Sequence, residues 1–288
     1  AALLPVLHEK AGEELKAKKS PPLAPYELQK MALSPGVGIL FFGYLLIFAA
    51  AVCFPKFRDA YLHLQEGAFL PFWAFGGVLP VFVTLTLILG ISPLFAGDVQ
   101  SRTREEFSTC ARGRGALCRA RVAAVFLFAA LVNFAYTGTA FLFGLLWGGF
   151  PKWSKGIETV YPGVKFKMAV GAYCALAALL IFSGSLAVAA LTAYASARSK
   201  TAVAPCAAAV LFLGAEYAFQ KLGGANPMMD FLSNVNVCKA MNPAANLYAG
   251  QTAPFDSPAR AAEILLLSLA AAVGLTFWRS ARWRRGSL

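Results

Sequence analysis

Six long apolar stretches, at about 36–54, 71–95, 122–148, 168–195, 203–219 and 261–278, alternate with polar connections along the chain. A helix rises about 1.5 Å per residue and a bilayer core is about 30 Å thick, so about 20 apolar residues cross it. The first four stretches hold no Asp, Glu, Lys or Arg, and the last two hold one carboxylate each, Glu216 and Glu263. The fifth is short and carries Pro205, so a broken helix is an alternative to a continuous span there. The pattern predicts an all-α membrane protein with six transmembrane helices.

Composition agrees with that pattern. Of 288 residues, 58% are hydrophobic and 14% charged, against about 25% charged in an ordinary soluble domain. Charged residues this few, gathered in blocks, cannot clothe a soluble fold, which excludes a soluble globular enzyme, a disordered chain and a coiled coil.

Lys and Arg set the expected orientation. Segments 1–35, 96–121, 196–202 and 279–288 together hold 17 of the 26, and 55–70, 149–167 and 220–260 hold nine. The richer side is expected to be cytoplasmic, with both termini inside a multi-pass plasma-membrane protein. The net charge of +12 then sits mostly inside, facing anionic lipid of the bilayer. Nucleic-acid binding is not expected, since no basic patch is interleaved with aromatics on a soluble module. The opening run Ala1–Leu7 is too short for a cleavable signal, so the first span is expected to be an uncleaved anchor.

The connections have characters of their own. Residues 1–25 form an N-terminal cytoplasmic extension ending in a stiff Pro-rich linker, Ser20–Pro25. Tyr26–Leu33 predicts a short amphipathic helix in the headgroup layer, with Glu27 and Lys30 charged and Leu28, Met31 and Leu33 apolar. Segment 96–121 mixes six arginines with Asp98, Glu105 and Glu106. Such mixed charge suits docking onto another protein, the alternative being a solvated basic loop. Segment 220–260 is expected to cap the outer face as short helices or a re-entrant region, with turns at Asn226-Pro227 and Asn242-Pro243. None of the six cysteines stands in C-x-x-C spacing, so no disulfide framework is expected.

Several chemistries have no carrier in the sequence. There is no G-x-x-x-x-G-K-[ST], H-E-x-x-H or G-x-S-x-G, and the two histidines, His8 and His63, lie outside the spans. No catalytic residue, metal site or cofactor is therefore expected on this chain. The polar groups of the spans include Thr84, Thr86, Asn133, Thr137, Thr139, Ser183, Ser185 and Thr192. Asn133 and Thr137 share a helix face at i,i+4 spacing. Most such groups bond between helices, but Asn133, Thr137 and Glu216 are also the candidates for lining a translocation path. Ion-coupled carriers keep titratable groups at mid-membrane depth despite a cost of about 2.5–3.5 kcal/mol each. A chain without them, if it transports, draws its energy from elsewhere.

At this point the residues resemble a known family, the permease subunits of type-2 ABC transporters (the ABC-2 exporter family). Glu27-Leu28-Gln29-Lys30 with Ser34-Pro35-Gly36 before the first span looks like that family's elbow helix. Residues 94–124 are similar to the loop after its second span. Asp98 stands as the acidic start, Thr103 where a threonine occurs, and Gly113-Arg114 as a basic turn, with Arg121 near the usual lysine. Arg102 replaces the usual glycine and Glu105-Glu106 the usual apolar pair. Asn242-Pro243 resembles part of the extracellular re-entrant segment.

The resemblance covers residues 26–285 as one permease domain and implies an ABC type-2 exporter permease fold. It implies a second permease subunit, identical or related, and separate ATPase subunits that bind ATP and Mg. The coupling loop 96–121 would dock the ATPase through Asp98, Arg102, Thr103, Glu105, Arg112, Gly113 and Arg114. Export of a hydrophobic or amphipathic substrate by alternating access is the function implied. A non-transporting membrane scaffold or assembly protein is the alternative.

Overall fold

The computed structural model describes residues 23–53, 78–100, 113–148, 154–160 and 167–208, and isolated positions from 210 to 274. The described chain is helical, with one isolated bridge between Gly156 and Ala169 and no strand. The helices, in order, are α1 Leu23–Ala32, α2 Pro35–Cys53, α3 Val78–Ile91, α4 Pro93–Gln100, α5 Gly113–Gly148, α6 Ile157–Val160 and α7 Val170–Arg198.

Among the described residues, three segments are long and apolar enough to cross a membrane on their own: Leu79–Gly97, Ala116–Leu142 and Val170–Arg198. They coincide with the second, third and fourth apolar stretches. A fourth arises if α1 and the following Pro35–Ile47 are taken together, although they meet at 55°. Ser34-Pro35 explains that bend. The proline ring excludes the residue before it from helical backbone, ending α1, and then starts α2 from its first position. The chain turns tightly there, Ser34 N–H donating to Met31 O at 3.2 Å and Val37 N–H to Ser34 O at 3.0 Å.

The helix boundaries depart from the apolar stretches at one end of the bundle. The second span continues past 95 to Gln100, and α5 starts at Gly113 where the apolar stretch starts at 122. Both ends of the expected coupling loop 96–121 are therefore helical, and residues 101–112 lie outside the described residues. With 36 residues, α5 is about 54 Å long at 1.5 Å per residue, well beyond an apolar core of about 30 Å. The fifth and sixth stretches are described only in part, as a helical segment at 203–208 and as positions such as Leu266 and Leu269, the latter packed on the core.

The α3–α4 span is central, 72% buried against 56% for α7 and 39% for α5. In lipid there is no hydrophobic gain between helices, so close backbone approach over small residues holds them together. The buried face of α7 supplies these: Ala177, Gly184, Ser185, Ala189, Ala193 and Ser196. On the outer side stand large apolar side chains such as Phe42 and Leu46 on α2 and Leu131 and Phe134 on α5, all exposed. Such a surface suits hydrocarbon and not water.

Candidate functional site

The polar groups of the bundle form two centres. The first lies at the bundle end where α1, α4 and the start of α5 meet. Arg121 Nε donates to Glu27 Oε1 at 3.1 Å, with the two side chains 1% and 4% exposed. The Arg121 guanidinium also lies over the Phe95 ring, 5.5 Å from its centroid. Three helices, far apart in sequence, are thus joined through one arginine. The second carboxylate oxygen, Glu27 Oε2, is buried with no hydrogen-bond partner among the described residues.

This departs from the expected facing of the amphipathic helix at Glu27 and Leu33, while Met31 and Lys30 keep theirs. Glu27 and Met31 form the buried side of α1, while Tyr26 and Leu33 are 61% and 72% exposed and Lys30 is exposed. A free carboxylate would face water, but a guanidinium partner offsets its desolvation and takes it inside. What remains outside is a tyrosine, a lysine and a leucine, a combination suited to the membrane interface.

Close by, Pro93 breaks the second span, since it has no N–H to donate to Leu89. The hydroxyl of Ser196 on α7 fills the break. Ser196 Oγ accepts from Phe95 N–H at 3.1 Å and Ala96 N–H at 3.2 Å, and donates to Ser92 O at 2.7 Å. A side chain inserted into the backbone ladder is a recognised cause of helix bending.

The second centre lies within the spans. Tyr44, Tyr136, Phe41 and Phe82 cluster, the two tyrosine rings 4.7 Å apart and Phe41 edge-on to Tyr136 at 5.3 Å. The Tyr136 hydroxyl shares a 2.7 Å hydrogen bond with Thr86 Oγ1, and the Tyr44 hydroxyl donates to Tyr136 O at 3.4 Å. About one turn earlier on α5, Asn133 Nδ2 donates to Ser185 Oγ at 3.0 Å across to α7. Replacing Tyr136 by phenylalanine leaves Thr86 Oγ1 without its partner. The expected loss is about 0.6–1.7 kcal/mol, read as a shift of the unfolding equilibrium in mixed detergent.

The sequence candidates distribute as follows. Asn133 is buried and engaged with Ser185. Thr137 donates its hydroxyl to Asn133 O, within its own helix, and borders an apolar groove of about 620 Å³ between α5 and α7. Asp98 lies on α4, and Gly113 and Arg114 open α5. Arg102, Thr103, Glu105, Arg112 and Glu216 lie outside the described residues. The structure adds Phe95, Ser92, Ser196 and Tyr44, which the sequence reading did not single out. Ser92-Pro93 carried a usable signal, because serine followed by proline marks a helix start even inside an apolar run.

Chemically, these centres tie helices together through hydrogen bonds, an ion pair and ring contacts. Among the described residues no group of His, Cys, Asp or Glu could hold a metal ion. Comparison with protein-family models, curated proteins and solved structures finds no match.

Proposed function

We propose that this chain is the permease subunit of an ATP-driven type-2 ABC transporter. It exports a hydrophobic or amphipathic substrate by alternating access, with a separate ATPase docked on the 96–121 connection. In this reading six spans cross the plasma membrane, both termini are cytoplasmic, and a second permease subunit completes the path. ATP hydrolysis belongs to the partner.

One observation carries the reading: the buried Glu27–Arg121 pair. It ties the helix before the first span to the base of α5, the helix that emerges from the basic connection. A push on that connection would reach α1 through an ion pair and α4 through the Phe95 ring, a route by which rigid helices could rock together. The absence of Asp, Glu, Lys and Arg from the first four apolar stretches agrees with a motive force supplied from outside the membrane.

Reversing Arg112 and Arg114 to glutamate tests this reading. The expected outcome is loss of ATPase co-purification and of substrate-stimulated hydrolysis, with the chain still inserted in the membrane. Normal ATPase assembly and normal transport in that variant would remove the docking assignment.

A further inference from the structure

Two hydroxyls compete for the N-terminus of α4. Ser92 occupies its N-cap position and Pro93 its first helical position, where a missing N–H costs nothing. A serine there ordinarily caps its own helix, its Oγ accepting the N–H of the second or third helical residue. In α4 the third residue is Phe95. Its N–H is taken by Ser196 Oγ of α7, which also takes that of Ala96. Ser92 Oγ is left buried with no hydrogen-bond partner among the described residues, in a residue only 3% exposed.

Ser196 is equally displaced from its ordinary partner. The other serine and threonine hydroxyls of α7 donate within the helix to the carbonyl four residues earlier: Ser183 to Leu179, Ser185 to Ile181 and Thr192 to Val188. Ser196 instead sends its proton across to Ser92 O at 2.7 Å. Both serines therefore have a local partner in reserve. Ser92 can cap α4, and Ser196 can turn back to the carbonyl of Thr192.

We propose that α4 is a lever that exchanges caps. Docked on α7, it is capped by Ser196; released, it is capped by Ser92, and Ser196 bonds within α7. Neither arrangement strands the Phe95 N–H, so the barrier of an orphaned buried donor is removed from the exchange. The proline joint supplies the hinge. The docked state leaves the Ser92 hydroxyl unsatisfied but retains the packing of α4 on α7, so the two contributions oppose each other. Phe95 carries the same movement to Arg121, whose guanidinium rests on its ring. This device rests on Ser92, Pro93 and Ser196 alone and does not depend on the ATPase reading.

Hydrogen exchange on the full chain in lipid nanodiscs tests it, comparing wild type, Ser92→Ala, Ser196→Ala and the double variant. Rates in the peptide covering 92–100 are referenced to those of α5 in the same sample, so a general loosening divides out. Ser196→Ala is expected to speed exchange by about five- to tenfold, the factor that a lost cap of ordinary strength carries. Ser92→Ala removes the released state's cap and is expected to slow exchange severalfold. In the double variant each state loses its cap, so the populations return toward those of the wild type and exchange is slower than in Ser196→Ala. Exchange that is unchanged or faster in Ser92→Ala overturns the proposal, since Ser196 would then be a fixed tie and Ser92 a bystander.

Discussion

Replacing Arg121 by methionine is expected to destabilise the bundle by about 3–5 kcal/mol, the usual cost of leaving one partner of a buried ion pair alone. The size follows from what remains. Glu27 would keep a carboxylate 4% exposed, with Oε1 now as partnerless as Oε2. The cation–π contact with Phe95 goes as well, worth about 0.5–2 kcal/mol depending on desolvation. Arg121→Lys should recover only part of the loss. An ammonium is a point charge, and it cannot offer an Nε–H to Glu27 while stacking a flat face on Phe95. The double substitution Glu27→Leu with Arg121→Met removes both charges and should return most of the stability, because well-packed apolar replacements of buried pairs are often neutral. Equilibrium unfolding in mixed detergent reads all three variants. A single-variant loss below about 1 kcal/mol would place the pair with exposed ion pairs and remove it as the tie between α1 and α5.

The same pair marks the limit of what local sequence could reveal. Periodicity within Tyr26–Leu33 put Glu27 with Lys30 on the polar side, since both are charged and neighbours on the helix. The structure separates them because Glu27's partner stands 94 residues away, and no local pattern carries that information. The second, third and fourth spans were legible, since a continuous apolar run has few alternatives in lipid. Their ends were less so. Hydropathy falls at residue 121, where Arg114, Arg119 and Arg121 gather, but nothing in those side chains stops a helix. Arginine, alanine and leucine are all good helix formers, so α5 reaches back to Gly113.

The polar residues of the spans were legible as a class and not one by one. Asn133 bonds across helices as expected, its amide going to Ser185. Thr137, Thr139, Ser183 and Thr192 instead return their hydroxyls to the carbonyl four residues back. A short hydroxyl reaches that carbonyl easily, so it needs no neighbouring helix. Ser196 has the same option and does not take it, which is why its role required the position of α4 to become visible.

Close packing gives the second large expected effect, at Gly90. A Cβ there would lie 2.5 and 2.6 Å from Cε1 and Cζ of Phe128 and 3.3 Å from Cγ2 of Val37. Glycine inside a helix ordinarily costs about 0.5–1 kcal/mol relative to alanine, so Gly90→Ala should stabilise if only the backbone mattered. The contact with Phe128 reverses that sign. Phe128 is 2% exposed within the core, so its ring cannot swing out, and α2, α3 and α5 must separate. Overpacking of this kind costs about 1–3 kcal/mol, and Gly90→Val, with two further methyls, should fall at the upper end. Gly38 on α2 is the control, since nothing lies within 4 Å of a Cβ placed there. Gly38→Ala should be neutral or stabilising by up to about 1 kcal/mol. Shortening the ring with Phe128→Leu makes room, so the two substitutions should couple favourably and the double variant should lose less than their sum. Additive losses would mean that the space beside Gly90 is not what holds α3 against α5.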